Sequence, residues 1–197
     1  MFIKLTVCTL LLAGGFVAGS NLARPQDEKD MEKIMAVYEK AAQPTEAHKA
    51  LASWAGRWET KGECPQGTWT GTVEYKPILG GRFVVGEANA KMQMGDKTMD
   101  MQSFQVVGYD NVLKQHQTVW LDNMGTGICF LPGSSEATGK KITYEGPVKD
   151  ALTPQGRPFK VIVNVDGDDK HTIELWDSKK DGKTLAKEAT VTETRAK

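Results

Sequence analysis

The chain has 197 residues, 40% of them apolar and 25% charged, which is ordinary for a globular domain and suits one domain plus a short leader. Lys and Arg together number 25, as do Asp and Glu, so the formal net charge is +0. A balanced surface excludes the electrostatic case for nucleic acid or for an anionic membrane as partner.

Lys4 is the only charge ahead of an apolar run from Leu5 to Val17, and the small residues Ala18, Gly19 and Ser20 follow. This order predicts a secretory signal peptide over residues 1–20 and an exported protein, periplasmic or secreted. The run is short for a membrane span, so no membrane insertion is expected once the leader is cleaved. The alternative is an uncleaved N-terminal anchor. Cys8 lies inside the run with no Leu-Ala-Gly ahead of it, which argues against a lipoprotein site. Cleavage leaves Cys64 and Cys129, which either form a disulfide or act as two small buried hydrophobes. Only the fold decides whether they can meet.

The next stretch, 21–44, reads as an N-terminal helix or tether. Met31, Ile34, Met35 and Tyr38 have helical spacing, which predicts a helix over Asp27–Gln43 ended by Pro44. Thr45 then N-caps a second, short helix carrying Leu51 and Trp54, and Gly56 stops it. His48 on this helix is expected at the surface.

From Arg57 the apolar period changes to two. Trp69, Gly71, Val73 and Tyr75 alternate with Thr68, Thr70, Thr72 and Glu74. Phe159, Val161, Val163 and Val165 form a similar set, as do Ala189 and Val191. Turn signals stand at Gly95-Asp96, Asp122-Asn123, Thr138-Gly139, Asp166-Gly167 and Asp181-Gly182. About nine or ten half-buried strands follow, with no crossover long enough for parallel pairing. The predicted fold over 45–197 is all-β, an antiparallel up-and-down barrel, which removes the exposed edges of an open sheet.

Gly56-Arg57-Trp58 opens the first strand, and Arg195 shares the inward face of the last with Ala189 and Val191. If those strands pair, the Arg195 guanidinium meets the Trp58 indole and closes the barrel floor, worth about 0.5–2 kcal/mol. This looks like the closing device of the calycins, the lipocalin-like superfamily. A longer series of motifs is more specific: Leu79-Gly80-Gly81-Arg82-Phe83, Gly108-Tyr109-Asp110-Asn111, Trp120-Leu121-Asp122-Asn123-Met124-Gly125-Thr126-Gly127, Tyr144-Glu145-Gly146, Asp169-Lys170-His171-Thr172-Ile173-Glu174 and Thr192-Glu193-Thr194-Arg195. In this order they resemble the bacterial family called domain of unknown function 1579, from about Glu46 onward. The resemblance implies a lipocalin-like barrel and no assigned activity. Trp176 stands where that family usually has Tyr or Phe, and does not disturb the reading.

No Gly-x-Ser-x-Gly elbow, His-Glu-x-x-His or Walker loop is present. The Asp166-Gly167-Asp168-Asp169 turn lacks the pattern of a calcium loop. His171 shares its face with Ile173 and Leu175, so it points inward and Glu174 outward. It reads either as a structural histidine or as a polar group of a pocket, including a ligand to haem iron as in the related nitrobindin-like barrels. His116, Thr118, Trp120 and Asp122 share one face, which is either a cavity wall or a solvated surface. Met92, Met94, Met99 and Met101 flank Gly95-Asp96. They read as flexible apolar lining, with Cu(I) binding as the alternative; no His or Cys stands beside them in sequence.

The leading expectation is a barrel that binds a small, mostly apolar molecule and requires no cofactor. The site is expected to touch Tyr75, Trp120 and His171, with Arg82 or Asp122 at the mouth. The alternatives are an isomerase- or hydrolase-type enzyme using His171 or His116, and an envelope interaction protein whose barrel is filled.

Overall fold

The computed structural model describes residues 28–136, 139–179 and 182–197. The leader, Cys8 and the first residue of the predicted first helix lie outside the described residues, as do Thr138 and Asp181 of two predicted turns. The chain divides into two units, one ending at Lys40 and the other running Ala41–Lys197. Helix α1 (Glu28–Ala42) makes up all of the described part of the first, and carries Met31, Ile34, Met35 and Tyr38 at the spacing of one face.

The first whole element of the second unit is α2 (Glu46–Ala52). Ten strands follow: β1 (Gly56–Cys64), β2 (Gly67–Ile78), β3 (Phe83–Met94), β4 (Lys97–Asp110), β5 (Gln115–Asp122), β6 (Cys129–Ser135), β7 (Lys141–Val148), β8 (Arg157–Gly167), β9 (Lys170–Ser178) and β10 (Leu185–Arg195). Each strand pairs antiparallel with its neighbours in sequence, and β1 pairs with β10, so the sheet closes on itself. Closure gives every strand two neighbours, so no strand stands at an open sheet edge. Alternation holds around the ring, and the fully buried Trp58, Val84, Val107, Leu131 and Tyr144 all face the lumen.

The strand directions give the barrel two ends. The α2 end carries the starts of the odd-numbered strands, the β6–β7 turn and the C-terminus. The other end carries the Gly95-Asp96 turn and the β5–β6 and β7–β8 connections. There Arg157 is paired by Nε and Nη2 with the two Asp177 oxygens at 2.7 and 2.8 Å, and by Nη1 with Asp150, tying down the β7–β8 loop.

Ring order separates the two cysteines, for which a disulfide is one of two readings. Cys64 ends β1 and Cys129 starts β6, and these strands lie five positions apart whichever way the ring is counted. Both cysteines are free. A disulfide needs Cα atoms within about 7 Å, which opposite walls of a barrel do not offer.

Inward-facing glycines make room for the aromatic core. Gly86 is paired with Tyr75, and a Cβ on Gly86 would stand 2.6 Å from the Tyr75 ring. Gly86→Ala is therefore expected to cost about 1–3 kcal/mol by overpacking. Chemical denaturation measures this; an unchanged midpoint would show that the ring moves aside freely.

Candidate binding site at the helix-capped end

Helix α2 sits against β3 and β4 and covers part of one end of the barrel. Its start is set by Thr45, whose backbone N–H donates to His48 Nδ1 at 3.0 Å. This contact corrects the expected position of His48, which is 4% exposed, with its ring edge-on to Tyr109 at 5.8 Å. Burial holds the His48 pKa below its ordinary value, the Tyr109 backbone bond opposes that, and the Arg82 charge adds to the lowering.

The C-terminal end of α2 is bound to the barrel floor. Trp58 is wholly buried, and its Nε1 donates to the Trp54 carbonyl at 2.8 Å. The Arg195 guanidinium carbon lies 4.3 Å from the Trp58 ring centroid. Arg195 Nη1 donates to Ala55 O at 2.7 Å and Nη2 to Ser53 O at 3.0 Å. A cation thus satisfies carbonyls that follow the last turn of α2, the terminus that favours positive charge.

Behind this floor lies a closed polar network. Tyr75 on β2 donates its hydroxyl to Glu193 Oε1 at 3.0 Å, and His171 Nδ1 on β9 lies 3.3 Å from Glu193 Oε2. None of the three is more than 5% exposed. Burial, then the Glu193 charge, holds the Tyr75 hydroxyl well above its ordinary pKa. His171 stacks on Trp58 with centroids 4.2 Å apart, and Trp54 tilts against it at 5.1 Å. Enclosed in this way, the imidazole does not fit the role of a haem ligand, which needs an open lumen above it.

Trp54 also faces a cleft. The space between α2 and the β6–β7 turn is about 580 Å³, with Leu51, Trp54, Ile142 and Val165 as its apolar lining. Lys49, Glu136 and Lys140 mark its rim. His116 lines it from β5, is 3% exposed, and its Nδ1 has no hydrogen-bond partner. Burial, and secondarily the His48 charge, lowers the His116 pKa, which favours a neutral imidazole. A buried polar atom without a partner is rare and calls for one.

The residues expected to form one site fall into separate places. Tyr75 and His171 meet through Glu193 in the closed network. Trp120 Nε1 donates to Asp122 Oδ2 at 2.9 Å, and both face the lumen, half-buried. Trp120 is four residues up β5 from His116, about 13 Å at the strand rise. Arg82 stands at the α2 end, where it donates to Ala42 O at 2.9 Å and Leu79 O at 3.1 Å, whereas Asp122 stands at the other end. Sequence reasoning passed over Glu193 and Trp54. Alternation back from Arg195 would have placed Glu193 inward; no periodic signal marks Trp54 as the wall of a cleft.

A closed up-and-down barrel whose first and last strands are locked by Trp58 and Arg195, with a short helix on one end, is a calycin-like barrel. The chain belongs to the family described as "Protein of unknown function (DUF1579)", whose family model matches residues 43–195. No curated protein matches it. Among solved structures, it is similar to the S-type phycobiliprotein lyase CPES from Guillardia theta, with a TM-score of 0.52 and 8% identity over 81% of this chain and 97% of that one. It is also similar to a de novo designed fluorescence-activating β-barrel, with a TM-score of 0.41 and 11% identity over 75% of this chain and 97% of that one.

Proposed function

We propose that this protein is an exported binding module that holds one small, mostly apolar molecule in the cleft beside α2. The observation that carries the reading is the cleft of about 580 Å³ with an apolar lining and one buried, unpartnered nitrogen, His116 Nδ1. Binding pockets commonly combine apolar area with a few placed polar groups in this size range. A neutral His116 with Nδ1 unprotonated accepts a hydrogen bond, so the bound molecule presents a hydroxyl or N–H there. Its body rests on Trp54, Leu51 and Ile142. Binding is favoured over catalysis by His171 because that imidazole lies behind Trp54 and Trp58 and does not line the cleft. Export follows from the Lys4 and Leu5–Val17 leader pattern.

Native mass spectrometry of the protein purified from its own host is expected to find a retained small molecule and a chain shortened by the leader. His116→Ala should weaken binding of that molecule about fivefold to tenfold, the loss of one hydrogen bond. The pH dependence has a definite sign. His116 is held below its ordinary value of 6.5, so affinity stays level down to pH 6.5 and falls only at lower pH, as Nδ1 gains a proton. Equal affinity in His116→Ala, or a midpoint above 6.5, would remove His116 from the site.

A further inference from the structure

The opposite end of the barrel gathers soft donor atoms. Met92 and Met94 on β3, and Met99 and Met101 on β4, all face the lumen, half-buried. Met92 pairs directly with Met99 across the hairpin. Cys64 is distant from these residues in sequence, but the β1–β2 and β2–β3 pairings bring it to the same end of the sheet, one strand away. Gly67 on β2 is paired with Cys64 on one side and with Met94 on the other. The Met94 Sδ lies 3.1 Å from where a Cβ on Gly67 would stand. The thioether is therefore folded over the glycine that separates its strand from that of Cys64, and Gly67 has no side chain to hold them apart.

We propose that Cys64, Met94 and the Met92–Met99 pair form a site for Cu(I). Among the described residues no three His, Cys, Asp or Glu side chains gather as a metal site, so hard and borderline divalent cations have no comparable donor set. Thiolate and thioether sulfur are soft ligands and select a soft, closed-shell monovalent ion. On binding, Cys64 releases its proton to solvent and one S–Cu bond forms. The thioethers donate lone pairs without losing protons, and the metal keeps its oxidation state. The thiolate charge balances that of the ion. Cys129, on the opposite wall, takes no part.

The test is anaerobic competition of the purified chain against the coloured Cu(I)–bicinchoninate complex. One equivalent of Cu(I) per chain is expected to pass to the protein, with release of one proton. Cys64→Ser and Met94→Leu should each lower the affinity, the former more, by roughly tenfold or greater. Cys129→Ser should leave it unchanged. Thermal melts of the variants confirm the fold, which leucine and serine at half-buried positions preserve. Failure to withdraw Cu(I) would overturn the site. So would unchanged affinity when Met92, Met94 and Met99 are all leucine, or an equal loss in Cys129→Ser.

Discussion

Trp58→Ala is expected to destabilise the barrel by about 3–5 kcal/mol, the range for deleting a fully buried aromatic side chain. That lowers Tm by roughly 6–20 °C for a domain of this size. The indole joins three parts of the floor. It donates to Trp54 O, stacks on His171 and lies against the Arg195 guanidinium. Removing it leaves a cavity at the seam between β1 and β10 and releases the C-terminal end of α2. Trp58→Phe keeps most of the ring and loses the Nε1 bond, so its cost should be clearly smaller. Differential scanning calorimetry of both variants checks the order. A Trp58→Ala protein melting with the wild type would show that neither stack nor bond locks the barrel.

Glu193→Ala should cost about 2–5 kcal/mol, because it strands the buried Tyr75 hydroxyl and removes the carboxylate partner of His171. Glu193→Gln keeps the volume and an acceptor for Tyr75, and is expected to cost less. The network can be separated from simple packing by a double-mutant cycle. Tyr75→Phe removes a donor that Glu193→Ala has already orphaned. Its cost should therefore shrink in the Glu193→Ala background. Additive effects of the two substitutions, measured by urea denaturation, would mean that the 3.0 Å contact contributes no coupling.

Much of the fold was legible because a strand's side chains alternate with a period of two and turns need particular residues. Trp69, Val73 and Tyr75 and the Val161–Val165 set face inward as alternation requires, whereas the His116, Thr118 and Trp120 face, which alternation left open, is turned inward by the register of β5. Closure by Trp58 and Arg195 was also readable, since a meander that leaves no edge must pair its first strand with its last. Alternation, however, says only which residues share a wall face. It does not say which strands stand opposite each other, or at what height along the barrel.

Those two quantities come from ring order and stagger, and they decided the rest. They set Cys64 and Cys129 on opposite walls, and brought Cys64 beside Met94 across Gly67. They parted Trp120 from His171, and joined Tyr75, His171 and Glu193 from three strands. The placement of α2 buried His48, and left between the helix and the β6–β7 turn the cleft that His116 lines. A helix of seven residues has no sequence pattern that states which strands it will cover. Its position follows from where Trp54, Trp58 and Arg195 meet once the barrel has closed.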